Sequence, residues 1–218
     1  MPLSVVLIDD QFGDWTAYEL RRRHIDVRVG MTLADAQVLL REPYVVAFID
    51  ARIPRGDRRS RPDPQWGLRA LEIARGACPS ACNVLATAYP TQEIEREARA
   101  RGAEFEIKPL IVSTMLRYVF RGIGMRSGLP PEENLVLAEL AIERRIKPTA
   151  VQLGALAALD FRACDAREHL NMSERTFKDH KTGLLDCMGV RDFRAAGELV
   201  RERARARRCP KTRNALRG

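Results

Sequence analysis

The sequence predicts an α/β fold, a doubly wound five-stranded parallel sheet, followed by an all-helical segment that carries a helix-turn-helix. Three observations predict it. Residues up to 123 alternate five short apolar runs with five helix-period stretches, the signature of βαβ units. Past Gly122 and Gly124 no further strand-like run occurs, and Ser127-Gly128-Leu129-Pro130-Pro131 punctuates the chain. Near residue 172 two helical patterns meet at a short polar turn.

The strands are expected at Leu3–Ile8, Ile25–Val29, Tyr44–Ile49, Asn83–Ala86 and Glu104–Ile107, with helices near 12–23, 32–41, 66–76, 91–101 and 111–123. The first, third and fourth runs are almost wholly apolar, as strands covered by helices on both faces are. This gives a first domain over 1–123 and a linker over 124–148. The linker contains a helix from Pro131 to Ile146 with apolar positions at Leu135, Leu137, Leu140, Ala141 and Ile142, closed by Lys147-Pro148. The helical domain runs over 149–200, and a basic tail over 201–218.

Charge is unevenly spread. Residues 1–123 carry 18 Lys and Arg against 16 Asp and Glu, residues 124–200 carry 11 against 12, and residues 201–218 carry 8 against 1. The tail therefore supplies nearly all of the net charge of +8, and it is a candidate for contacting a polyanion. No apolar run reaches the roughly 20 residues that span a bilayer, and Met1 to Asp10 runs straight into a strand pattern, so a cytoplasmic location is expected. The five cysteines are odd in number and scattered, and the three histidines lie far apart, so neither a disulfide framework nor structural zinc is expected.

In an open parallel sheet, ligands bind at the carboxyl ends of the strands. The polar residues there are Asp9 and Asp10 after the first strand, Asp50 after the third, Thr87 after the fourth and Lys108 after the fifth. Carboxylates about 5 Å apart repel by roughly 3 kcal/mol at an effective dielectric near 20, so such a cluster calls for a cation, and an all-oxygen site suits Mg²⁺. Neutralised in this way, the Asp50 carboxylate can attack phosphorus and become an aspartyl phosphate, with Lys108 and Thr87 binding phosphoryl oxygens.

These segments, VVLIDD, FIDARIP, LATA and FEIKP, resemble the receiver domain of bacterial response regulators over about residues 3–123, a flavodoxin-like fold. The resemblance implies phosphate transfer from a histidine kinase to Asp50, with Asp10 a direct metal ligand, Asp9 assisting and the Arg52 carbonyl a further ligand. It also makes Thr87 and Phe105 switch residues. One departure stands out: RGDRRSRPDPQW separates Pro54 from Gly67, where the family has a glycine close behind the proline. This insertion is expected to be a surface loop that adds nothing to the core and affects phosphate lifetime rather than folding.

Asn171 suits a left-handed turn and Ser173 an N-cap, and the helix that follows puts Glu174, Arg175, Lys178, Asp179 and Lys181 on a polar face, with Phe177, Leu184 and Leu185 inward. The stretch MSERTFKDHKTGLLDCMGVRDFRAA resembles the recognition helix and following turn of the LuxR/NarL family, strongly over 172–196 and poorly upstream, where Ala166-Arg167 stands at the family's Ile-Ala pair. That implies DNA contacts from Lys178 and His180, with Arg175, Lys181 and Thr182 as further candidates. The expected whole is a phosphorylation-dependent transcription regulator, not an enzyme, that binds promoter DNA as a homodimer. Two alternatives compete: an interaction protein whose helix-turn-helix binds another protein, and a haloacid-dehalogenase-like phosphatase. The latter wants Asp-x-Asp where this chain has Asp9-Asp10-Gln11.

Overall fold

Strand formation in the first half follows from burial on both faces. The computed structural model describes residues 3–11 and 13–208. In it β1 (Ser4–Ile8), β3 (Val46–Asp50) and β4 (Cys82–Thr87) are buried at every position, while β2 (Asp26–Gly30) and β5 (Glu104–Ile107), at the two edges of the sheet, are only partly buried. All pairings are parallel and the order is β2-β1-β3-β4-β5, so the chain reverses direction across the sheet between β1 and β3. That reversal opens the crevice in which ligands of such sheets bind.

Five helices cover the sheet: α1 (Gly13–Arg21), α2 (Leu33–Leu39), α3 (Pro64–Ala77), α4 (Gln92–Ala100) and α5 (Val112–Arg126). Their starts are coded locally. Thr32 and Asp35 form a reciprocal capping box on α2, Asp63 caps α3 with Pro64 in its first turn, and Thr91 caps α4. Beneath α2, α3 and α4 lies a core that includes Ile8, Ile49, Ile53, Leu71 and Leu85. Tyr44 is buried in it with its hydroxyl 3.1 Å from the Ala74 carbonyl oxygen, and burial holds that phenol well above the usual tyrosine range.

The chain divides into two compact units between Gly122 and Ile123, inside α5. The helix does not break at the two glycines. A Cβ on Gly122 would lie 2.2 Å from the Val45 carbonyl oxygen and one on Gly124 would lie 2.0 Å from Asn134 Oδ1, so both glycines permit close approach rather than ending the helix.

The second unit is helical: α6 (Pro131–Glu143), α7 (Pro148–Ala158), α8 (Ala163–His169), α9 (Glu174–Met188) and α10 (Phe193–Arg208). Apolar nearly all round, α7 is buried from Leu153 to Ala158, and α6, α8, α9 and α10 pack on it. This corrects the linker expected over 124–148. Helix α6 buries Val136, Leu137, Leu140 and Ala141 and belongs to the helical core, with Leu135 turned outward at 37% exposure. The basic tail is corrected too. Residues 201–208 are the last turns of α10, and four of their five arginines meet acidic partners: Arg201 with Asp160 at 2.7 Å, Arg203 with Glu143 at 3.7 Å, Arg207 with Glu139, and Arg208 with Glu132 at 2.7 Å. The rest of the expected tail, 209–218, lies outside the described residues.

The insertion after Pro54 is more than a surface loop. The carbonyls of Pro54 and Arg55 accept the Leu33 and Ala34 amides at 2.9 and 3.1 Å, which satisfies the free N–H groups of the first turn of α2. Ile53 bridges Asp63, and the half-buried Trp66 packs on the core. Deleting 55–65 is therefore expected to destabilise the protein by about 2 kcal/mol, roughly one for the Asp63 cap and one for the Ala34 amide that loses the Arg55 carbonyl. Urea unfolding checks this, and a midpoint equal to the parent's would make the segment dispensable.

Candidate functional site

At the carboxyl edge of the sheet three carboxylates and one ammonium converge. Asp9 and Asp10 follow β1, Asp50 ends β3, and Lys108 directly follows β5, its own peptide bond to Pro109 being cis. Lys108 Nζ donates to Asp50 Oδ2 at 2.5 Å and to Asp9 Oδ2 at 2.6 Å, linking groups 58 and 99 residues apart. Carboxylate oxygens of Asp9, Asp10 and Asp50 lie within 4.8 Å of one another. The Arg52 amide donates to Asp50 Oδ1 at 3.0 Å, so the backbone just past Asp50 turns back over it. Thr87 is buried at 1% exposure beside this edge, its hydroxyl accepting the Tyr89 amide at 3.1 Å. Phe105, paired in register with Leu85, is half-buried against the core.

Burial raises the Asp50 carboxyl above the ordinary range, against the opposing pull of Lys108 and the Arg52 amide. Burial also opposes charge on Lys108, but Asp50 and Asp9 outweigh it and hold the ammonium firmly protonated. Asp10 is raised by burial and then by the charge of Asp9, and its Oδ1 is shielded from solvent with no hydrogen-bond partner. A carboxylate oxygen left in this state, among two other carboxylates, fits a hard cation with oxygen ligands.

Two features escaped the sequence. The Arg52 guanidinium lies over the Tyr89 ring, 5.0 Å from its centroid, joining the loops that follow β3 and β4 at the mouth of the site. Beside Lys108 and Asp50 opens a mainly apolar cavity of about 330 Å³ whose walls include Leu7, Trp15, Phe48 and Leu110. The only local signal for either is position two residues past Asp50 and Thr87, or one turn into α1, which is too common to single them out.

In the helical unit, α8 and α9 meet at Leu170–Ser173. Asn171 takes a left-handed conformation (φ 49°), and Ser173 caps α9 by accepting the Thr176 amide at 3.2 Å. Phe177 and Leu184 are buried, Phe177 with its ring 6.4 Å from that of Phe193, and Leu185 is half-buried. Arg175, Lys178 and Thr182 are exposed at helical spacing on one face. His180 and Lys181 are half-buried, and the Lys181 ammonium lies 5.9 Å from the centre of the Phe177 ring.

No family model matches the sequence, and no curated protein does. Solved structures do. A response regulator protein from Burkholderia pseudomallei, with a phosphorylated aspartic acid, calcium ion and citrate, aligns over 81% of this chain and 96% of its own at 22% identity and a TM-score of 0.47. A CheY-like response regulator receiver domain protein from Methanospirillum hungatei JF-1 aligns over 51% of this chain and 85% of its own at 20% identity and 0.44. The non-phosphorylated HemR receiver domain from Leptospira biflexa covers 56% and 94% at 21% identity and 0.45. These are likenesses of fold.

The acidic cluster itself makes a testable claim. Millimolar Mg²⁺ is expected to raise the melting temperature of the protein, because a ligand bound only by the folded state stabilises it by mass action. Asp10→Asn is expected to melt higher than the parent in EDTA, since it relieves repulsion with Asp9, and to lose most of the Mg²⁺ response. A full response retained by Asp10→Asn would take Asp10 out of the metal site.

Among the described residues, no helix is long and apolar enough to cross a membrane.

Proposed function

We propose that this chain is a response regulator, in which phosphorylation of Asp50 in the sheet unit controls DNA binding by the helical unit. The observation that carries the reading is the Lys108 ammonium held between Asp50 and Asp9 at 2.5 and 2.6 Å, with Asp10 alongside. A nucleophilic carboxylate, an acidic pair and a fixed cation at one strand edge are what transfer of a phosphoryl group to an aspartate requires. Magnesium held by Asp9, Asp10 and Asp50, with the Arg52 carbonyl as a further ligand, supplies charge neutralisation for the incoming group. Asp50 provides the attacking oxygen, and Lys108 is placed to exchange its bond to that carboxylate for one to a phosphoryl oxygen. The Thr87 hydroxyl, whose present partner is a backbone amide, can turn to the phosphoryl group and draw its loop inward, and Phe105 follows at the neighbouring strand. The donor is a histidine kinase.

The output reading rests on the capped α8–turn–α9 pair and on the exposed Arg175, Lys178 and Thr182, the arrangement by which a second helix enters the major groove. His180 and Lys181 sit at the edge of that face. Homodimers on repeated half-sites follow from the symmetry of such operators. The ion pairs along α10 weigh against residues 201–208 acting as a free basic arm, so among the described residues base and phosphate contacts fall mainly to α9. The protein-interaction alternative keeps the same site and gives α9 a protein partner instead.

Genome-wide mapping of DNA bound by the wild type and by Asp50→Asn tests the whole reading, with discrete sites expected for the wild type and their loss in the variant. On a site so found, Lys178→Ala is expected to weaken binding by about 1–3 kcal/mol if it reads a base, or all sequences alike if it touches phosphate. Unchanged binding in Lys178→Ala would take Lys178 out of the interface, and no sites for the wild type would favour the protein-interaction reading.

A further inference from the structure

The insertion after Pro54 builds a second concavity, in the face formed by α2 and α3 and apart from the acidic cluster. The Arg55 guanidinium lies over the Trp66 ring, 5.2 Å from its centroid. Together they form one wall of a cleft of about 400 Å³, within the size range of small-ligand sites. Leu33 of α2 and Leu68 of α3 give it an apolar edge, and the Gln37 amide offers a donor and an acceptor. At the other side stand Arg69 and Arg101, both tied to Glu72, at 2.5 and 3.2 Å. Arg101 pairs with Glu97 as well, so three guanidinium groups stand against two carboxylates and the cleft still favours an anion.

We propose that this cleft binds a nucleoside phosphate. The Arg55 guanidinium over the Trp66 indole makes a cationic aromatic wall against which a heterocyclic base can lie, because both groups stack on flat rings. Arg101 has most of its N–H groups committed to Glu72 and Glu97, whereas Arg69 spends only one nitrogen on Glu72. A guanidinium carries five N–H groups in a fork that matches phosphate oxygens, so Arg69 can take the phosphate while remaining anchored to Glu72. A simple phosphate would leave Trp66, Leu33 and Leu68 unused, and an uncharged aromatic would leave the arginines unused. A planar base joined to a phosphate uses both. Arg55 also follows Asp50 by five residues along one loop and holds the first turn of α2 through its carbonyl, so occupancy of the cleft acts on the segment leading away from the acidic site.

Trp66 reports its own occupancy. The chain has two tryptophans, so Trp15→Phe leaves Trp66 as the sole emitter. The full-length Trp15→Phe protein in EDTA, which removes divalent cations from the acidic cluster, is titrated with ADP and with GDP while Trp66 emission is followed. A saturable change with half-saturation below about 1 mM is expected for at least one of them. Adenosine, guanosine and inorganic phosphate are each expected to bind at least about tenfold more weakly, since each satisfies half of the cleft. Arg55→Ala and Arg69→Ala, both at exposed side chains, are expected to weaken nucleotide binding by about tenfold with unchanged far-ultraviolet circular dichroism. The proposal is overturned by any of three results: no saturable change with either nucleotide, nucleosides binding as tightly as their diphosphates, or nucleotide affinity indifferent to both arginine substitutions. Phosphorylation at Asp50 is scored separately, so failure here leaves that reading standing.

Discussion

A small phosphodonor with Mg²⁺ is expected to add one phosphoryl group to the wild-type chain, and Asp50→Asn to accept none. Three carboxylates share the site, so the assignment rests on their surroundings. Asp50 ends the central strand β3, with 8% of its surface exposed, and offers Oδ2 to Lys108 and Oδ1 to the Arg52 amide. It is therefore held in one rotamer, with an adjacent cation to receive the phosphoryl charge. Asp9 also meets Lys108, but its Oδ1 accepts the Gln11 amide, and Asp10 has a buried oxygen with no donor. Both are placed to hold a cation rather than to attack. In the reaction an Asp50 oxygen forms the new bond to phosphorus as the bond from phosphorus to the donor's leaving group breaks. An asparagine amide lacks that nucleophilic oxygen anion, so the effect is all or none. Asp9→Asn and Asp10→Asn should still label at Asp50, more slowly. Intact-protein mass spectrometry, with hydroxylamine to release the acyl phosphate, reads the outcome. Labelling of Asp50→Asn at the wild-type level would place the acceptor elsewhere.

Gly197→Val is expected to unfold the helical unit while leaving the sheet unit folded. Helices α7 and α10 touch backbone to backbone at this point: a Cβ on Gly197 would lie 2.1 Å from the Ala157 carbonyl oxygen and 2.5 Å from its carbon. No rotamer relieves a clash at Cβ, and neither partner is the end of a flexible side chain. Helix α10 must move away from α7, opening the core around Val200, Ala196 and Leu153. Overpacking of this kind costs about 3 kcal/mol or more, a large share of the stability of a small unit. Gly183, in α9, is the control: nothing lies within 4 Å of a Cβ built there, so Gly183→Ala should stabilise by about 0.5–1 kcal/mol through helix propensity. Circular dichroism during thermal unfolding separates the two. A Gly197→Val protein that melts like the parent would show that the two helices can separate at little cost.

Much of the sheet unit was legible in the chain, because its determinants are local or repeat with a short period. Strands buried on both faces must be apolar throughout, so β1, β3 and β4 announced themselves, and the residues that end them were the ones that converged at the site. The α8–α9 turn was equally plain: a left-handed Asn171 and a capping Ser173 are short-range backbone requirements that only a few residue types meet.

What tertiary structure alone decided concerns positions whose meaning depends on a distant partner. The fifth helix was expected to stop near 123, beside Gly122 and Gly124, yet each glycine lets a neighbour approach, and α5 runs through both. The pattern of α6 fitted a linker until α7 and α10 supplied the surface that buries it. The arginines of 201–208 looked like a tail because charge counts carry no partner, whereas folding brings Glu132, Glu139, Glu143 and Asp160 beside them. Likewise RGDRRSRPDPQW has the composition of a free loop, and only the place of the Arg55 carbonyl over the first turn of α2 and of the Asp63 cap on α3 makes it a support. Periodicity and capping are properties of neighbours along the chain and survive in the sequence. Close approach, ion pairing and the satisfaction of free backbone groups are properties of neighbours in space, and the fold alone assigns them.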